Sequence, residues 1–332
     1  MNKFKYYFIL IITCLSLFSC SKDDNSIEEV PLRDFGEQFA TDKAAIEEYL
    51  ETYYIDVEDP NFADNDVIIK KITNSDTQPS IMSYLNRSTF PKLLKKPVEL
   101  HGITYELYYL VLREGVGESP CNVDEVLTAY KGDYLYRTVA KEAVPASGDT
   151  PAQPAVPSVL LASEFEKLIY PESFFSLNNV VTGWSEVFPE FKTGDTPVSN
   201  ADGTVTYNNF GAGVMFLPSG LAYYNRVQGS IPSYSPLVFS FKLYAVKRSD
   251  FDNDGIPSYL EDINGDGNVY NDDTDGDGIP DFRDVDDDGD GFTTRSEITV
   301  NGVITPFNLI PDCNGNTTNP DRKKKHLDKN CR

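Results

Sequence analysis

From Asp250 to Glu297 the chain repeats one acidic pattern four times, at a spacing that rules out an ordinary hydrophobic core there. The copies use Asp250, Asp252, Asp254, Gly255 and Glu261; Asp262, Asn264, Asp266, Gly267 and Asp273; Asp273, Asp275, Asp277, Gly278 and Asp284; and Asp286, Asp288, Asp290, Gly291 and Glu297. Oxygen ligands at positions 1, 3 and 5, a glycine at 6 for the sharp turn and an acid at 12 are what a calcium loop requires. Successive copies start 12, 11 and 13 residues apart, so no helix of ordinary length fits between them. The stretch holds few apolar residues and has too little to bury to fold without metal. It is therefore expected to be an irregular loop array with calcium as a structural cofactor, and the shared Asp273 allows fewer than four ions. A plain acidic linker is the alternative, but a linker has no need of glycine at the sixth position four times.

The 332 residues include 52 acidic and 29 basic ones, a formal net charge of −23. Phosphate backbones are bound through a surplus of Lys and Arg, so nucleic acid is not an expected partner. At the other end, Met1-Asn2-Lys3-Phe4-Lys5 precedes an apolar run from Tyr6 to Phe18 and then Ser19-Cys20. A basic start, a short apolar stretch and small residues before the cut describe a secretory signal peptide over residues 1–19, too short for a comfortable membrane span. An uncleaved helical anchor is the other reading. Leu17-Phe18-Ser19-Cys20 resembles a bacterial lipobox, which implies lipidation of Cys20 and stable anchoring in a membrane. Ser21-Lys22-Asp23-Asp24-Asn25 resembles the export signal of Bacteroidetes surface lipoproteins, implying an outer-membrane lipoprotein exposed at the cell surface.

Residues 20–40 read as an acidic tether and 41–100 as a helical or irregular segment. Within it Thr41 or Asp42 is expected to cap a helix running to about Tyr54, with Ile46, Tyr49, Leu50 and Tyr53 on one stripe. Residues 101–248 are mostly β. Tyr105–Arg113, Glu125–Tyr130, Val214–Phe216 and Leu237–Val246 read as strands, and a short helix is expected near Ser185–Phe191. Residues 143–158 carry four prolines and suit a surface loop or flap. Residues 196–210 form a second polar insert. At Asp250 the composition changes abruptly, leaving 250–297 as the calcium-binding repeats and 298–332 as a tail, in which Cys313 and Cys331 can bridge in an oxidising compartment.

Several blocks of residues 103–246 resemble, in order, the FKBP family of peptidyl-prolyl isomerases: Val126-Leu127-Thr128-Ala129-Tyr130-Lys131-Gly132, Val180-Val181-Thr182-Gly183-Trp184-Ser185-Glu186, Phe191-Lys192-Thr193-Gly194, Leu217-Pro218-Ser219-Gly220-Leu221-Ala222-Tyr223, then Ile231-Pro232 and Leu237-Val238-Phe239. The resemblance implies an α+β fold, a twisted antiparallel β-sheet wrapped around one short helix. It also implies proline-containing polypeptides as substrates. Carried over residue by residue, Trp184 is the floor of the pocket, and Tyr130, Val180, Val181, Ile231 and Phe239 are its walls. Tyr223 offers its hydroxyl and Val181 its N–H to a substrate carbonyl. Phe165-Glu166 stands for the family's Phe-Asp pair, and Phe175 for an aromatic two residues before Leu177. Glu166 in place of Asp, Ser230 before Ile231 and Tyr224 in place of Gly are departures. They leave open a second reading, an FKBP-like surface module that binds or adheres without turnover. In the acidic repeats, Gly255-Ile256-Pro257 and Gly278-Ile279-Pro280-Asp281 resemble thrombospondin type-3 repeats, where calcium replaces a hydrophobic core.

Overall fold

A computed structural model describes residues 31–56, 67–145 and 153–331. The signal segment and the lipidation site Cys20 lie outside the described residues. Helix α1 (Phe35–Thr52) leads into strand β1 (Tyr53–Asp56), which pairs with β2 (Ile68–Lys71). The main sheet is built from β3 (Lys92–Leu100), β4 (Ile103–Arg113), β5 (Glu125–Arg137), β6 (Leu160–Leu168) and the short β7 (Phe175–Ser176). Helix α2 (Thr182–Val187) and a small hairpin of β8 (Val198–Ser199) and β9 (Val205–Thr206) precede its last strands, β10 (Gly211–Leu217) and β11 (Leu237–Lys247). The order is β3-β4-β10-β11-β5-β6 with β7 beside β5, and every pairing is antiparallel. The fold is thus the expected α+β arrangement, an antiparallel sheet with a short helix against it.

The run from Tyr105 to Val111 lacks a polar face because both faces of the sheet are covered. Side chains alternate along a strand. Tyr105, Leu107, Tyr109 and Val111 join Met215, Leu217, Phe239 and Phe241 in one core, packed on Trp184, Val187, Phe188 and Phe191 of α2 and the turn after it. Tyr108, Leu110 and Leu112 join Val214, Phe216 and Val238 in a second core, closed by Ile46, Tyr49 and Leu50 of α1. Each large side chain buried in this way contributes about 1.5–3 kcal/mol.

Helix α1 starts earlier than expected. Asp34 is its N-cap, accepting from the N–H groups of Gly36 and Glu37, whereas Asp42 sits inside the helix and is 1 % exposed. Asp42 is spent on a tertiary contact: its carboxylate accepts from the Ser219 N–H at 2.8 Å, the Ser219 hydroxyl at 2.6 Å and Gln38 Nε2 at 2.6 Å. The described parts of the proline-rich insert are exposed and form isolated bridges, Lys141 with Val156 and Val144 with Gln153.

After β11 the acidic segment makes 3-10 turns at Ser258–Leu260, Val269–Asn271 and Asp281–Arg283, and one short helix, α3 (Thr294–Ile298). Val269 and Phe282 pack on Val123 and Cys121 beside β5. Arg248 reaches back to Asp124 at 2.6 Å, and Asp124 also accepts from the Ser249 and Cys121 N–H groups. The tail is closed by a disulfide between Cys313 and Cys331. Cys121 is free and partly buried.

Candidate functional site

Two regions carry chemistry: a cleft over α2 and the acidic loops. The cleft has a volume of about 440 Å³. Its floor is Trp184, placed by the tight turn into α2 and framed edge-on by Tyr130 at 5.0 Å, Phe188 and Phe239 at 5.3 Å and Phe175 at 5.8 Å between ring centroids. Edge-to-face packing suits the aromatic quadrupole and fixes the indole. Trp184 lines the cleft and is 4 % exposed. Phe165 reaches the cleft across β5, edge-on to Phe239 at 5.6 Å. Gly132 makes that possible, since a Cβ there would lie 2.4 Å from the Phe165 ring.

The structure brings Tyr130, Phe165, Glu166, Phe175, Val180, Val181, Trp184, Tyr223 and Phe239 to this one cleft. Ile231 is not among its lining residues. It is 3 % exposed and packs in the core that also holds Trp184, Tyr130 and Phe239. Asn179, Thr182, Ala222, Arg226 and Gln228 also line the cleft, though sequence reasoning passed over them. Asn179 and Thr182 flank the Val180-Val181 block and were legible from it; Arg226 and Gln228 sit in a polar connection with no pattern of its own. Among the described residues, no part of the proline-rich insert lines the cleft.

The mouth is polar. Burial, and then hydrogen bonding to the Glu166 carboxylate, hold the Tyr130 phenol well above its ordinary pKa. Burial also raises Tyr223, with Glu166 adding to it and Arg226 opposing. Neither the Tyr223 hydroxyl nor the Val181 N–H makes a hydrogen bond among the described residues. Tyr223 is positioned from behind by the Asp42–Ser219 contact four residues upstream. Tyr224, where a glycine was expected, has φ 52 and stacks on Phe35 at 4.3 Å. A left-handed φ is the reason glycine suits this place, and the stacking offsets the strain here.

In the acidic segment the glycines at the sixth positions, Gly255, Gly267, Gly278 and Gly291, all have φ between 84 and 105. The turn carries the N–H of Gly267, Gly278 and Gly291 to the first aspartate of each loop, Asp262, Asp273 and Asp286, at 2.9–3.0 Å. Ligand oxygens converge within 4.8 Å in three groups: Asp273, Asp275 and Asp277; Asp286, Asp288 and Asp290; and Asp252, Asp254, Glu261 and Asp287. Asp262, Asn264 and Asp266 form the second loop, which has only two carboxylates among its first five positions. Buried oxygens of Asp250, Asp252, Asp254, Glu261, Asp286, Asp288 and Glu297 have no hydrogen-bond partner. Burial first, and neighbouring carboxylates after it, push Glu261 up to about 10 and Glu297 up to about 8. Burial is likewise the main cause that raises Asp284. Buried carboxylates without counter-charge are costly. An all-oxygen donor set with such orphaned atoms fits a hard divalent cation.

Residues 251–320 match a family model described as BamM C-terminal, a stretch that runs past the acidic repeats into the tail. Among solved structures the chain is similar to a peptidyl-prolyl cis-trans isomerase from Pseudomonas syringae pv. tomato, at 15% identity over 66% of this chain and 100% of that one, with a TM-score of 0.32. It is similar to FkpA from Escherichia coli at 25% identity, over 43% of this chain and 48% of that one, with a TM-score of 0.25. For the N-terminal domain of FKBP42 from Arabidopsis thaliana the identity is 10% over 42% and 86%, with a TM-score of 0.23. No curated protein matches the sequence.

Proposed function

We propose that this chain is a peptidyl-prolyl cis-trans isomerase of the FKBP type that assists folding of exported or surface proteins. The observation that carries the reading is the aromatic cleft itself. A buried indole lies beneath an apolar wall, with a hydroxyl and an N–H at its edge that make no hydrogen bond among the described residues. Rotation about the X–Pro bond is slow because resonance holds the amide planar. A proline ring seated on Trp184 leaves water, and a dry site disfavours the polar planar amide more than the twisted one. The Tyr223 hydroxyl and the Val181 N–H hold the flanking backbone and limit its freedom. No acid, base or metal is needed for this step.

In the same reading the acidic loops hold calcium as a structural cofactor, supported by the orphaned buried carboxylates. The chain is lipidated at Cys20 and anchored at the outer membrane, facing outward; the lipobox supports this, and the BamM C-terminal match fits that setting. The deciding experiment is a prolyl-peptide isomerisation assay on the mature chain with calcium present. Acceleration above the uncatalysed rate is expected. No acceleration, with peptide binding retained, would make the cleft a binding module instead.

A further inference from the structure

The four acidic loops share a closure that the ligand pattern alone does not reveal. In each, the N–H of the second residue is accepted by a side chain seven to nine residues on: Phe251 by Ser258 Oγ at 3.3 Å, Ile263 by Asp272 Oδ1 at 3.1 Å, Thr274 by Asp281 Oδ1 at 2.7 Å, and Asp287 by Thr294 Oγ1 at 3.2 Å. The third and fourth loops use the same two residue types in opposite order. In the third, Thr274 also donates its hydroxyl to Asp281 at 2.8 Å, so both oxygens of that acid are engaged. In the fourth the threonine has moved to the accepting place, and the acid at the second place keeps its carboxylate for something else.

That carboxylate is buried, with Asp287 1 % exposed, and neither of its oxygens has a hydrogen-bond partner. It does not turn toward Asp286, Asp288 and Asp290 of its own loop. Its ligand oxygen lies within 4.8 Å of those of Asp252, Asp254 and Glu261, which belong to the first loop. Glu261 is 2 % exposed, and both of its oxygens are also without a partner. Four carboxylates therefore converge in a buried space. The nearby Arg295 donates to the Asn253 carbonyl at 2.9 Å from an exposed position. Apolar packing also joins the two loops, with Ile256 packed on Ile298 and Ile310.

We infer that Asp287 completes the first loop's cation site, so that one calcium ion clasps Asp252, Asp254 and Glu261 to the start of the fourth loop. This rests on the calcium reading above and sharpens it: the ion is a cross-link between distant parts of the array. The neighbouring sites, by contrast, close on single loops.

Calorimetric titration of the chelator-stripped full chain with calcium tests it, using Asp287→Ala, Asp287→Asn and, as a control, Asp275→Ala. Asp287→Ala is expected to bind one ion fewer per chain than the parent. Asp287→Asn should weaken that same site tenfold or more, and Asp275→Ala should lose a different ion. With chelator, Asp287→Ala should melt no lower than the parent, because it removes a buried carboxyl without a hydrogen-bond partner; a residue that merely packs would melt lower. Should Asp287→Ala bind the parent's number of ions with the parent's affinity while Asp275→Ala loses one, the clasp is wrong and the calcium reading stands. A parent chain that takes up no calcium overturns both.

Discussion

Tyr223 and Tyr130 both bring phenols to the cleft, but their surroundings set them apart. Tyr130 is 8 % exposed, and burial and then Glu166 raise its phenol, whereas Tyr223 is half-buried, Arg226 opposes the rise, and its hydroxyl makes no hydrogen bond among the described residues. Replacing Tyr223 by Phe should lower kcat/KM for a prolyl peptide about three- to tenfold, the worth of one hydrogen bond, and leave the melting temperature nearly unchanged. Trp184→Ala should abolish turnover and cost about 3–5 kcal/mol of stability, seen as an earlier urea midpoint. Burial pushes the Cys121 thiol up to about 12, with Asp124 adding to the effect. Alkylation of Cys121 in the folded chain at pH 8 should run about a thousandfold slower than in urea, because so little thiolate is present. Trp184 was legible because it is the chain's single Trp and follows Gly183 in a recognisable block. Ile231 shows the limit of such reading: the block places it at the right core, but only the packing decides that neighbouring residues take the lining positions.

Helix α1 and strands β3 and β6 show where local signals lose to tertiary structure. The stripe of Ile46, Tyr49 and Leu50 announced the helix, but its cap was misplaced because Asp42 has the same chemistry as a capping residue. What the carboxylate meets, the Ser219 turn, lies 177 residues away and leaves no mark nearby. Asp42→Ala should therefore cost about 2–4 kcal/mol by urea unfolding, since two partners of a buried charge go unpaired. It should also lower turnover, because Ser219 leads to Ala222 and Tyr223. Strand β6 is rich in Leu, Ala, Glu and Lys, residues that favour helix, and becomes a strand only through pairing with β5. Strand β3 carries Pro97, which argues against an interior strand; β3 lies at the sheet's edge, where a missing N–H is tolerated. The continuous apolar strands were easier to read, because sharing two cores forces both of their faces to be apolar.

At the scale of the molecule, the change of composition at Asp250 is not a seam. Asp124, fully buried, binds Arg248 and Ser249 at the junction, and Val123 shares a core with Val269 and Phe282. Calcium binding to the folded form alone should stabilise the whole chain by about 1.4 kcal/mol per ion at ten times Kd. The melting temperature should therefore rise by several degrees on adding calcium and fall back with chelator, as measured by calorimetry. Identical melts with and without chelator would count against metal in these loops. Two further hydrogen bonds run from the acidic segment toward the cleft: Tyr270 Oη and Arg283 Nη2 both donate to Asn178 Oδ1, at 2.6 and 2.7 Å. Asn178 directly precedes Asn179 and Val180 on the rim of the cleft. Trimming the chain after Ser249 would strip away that buttress and bare Val123 to water, so the rim of the cleft in an isolated β-domain would be held less firmly than in the whole polypeptide.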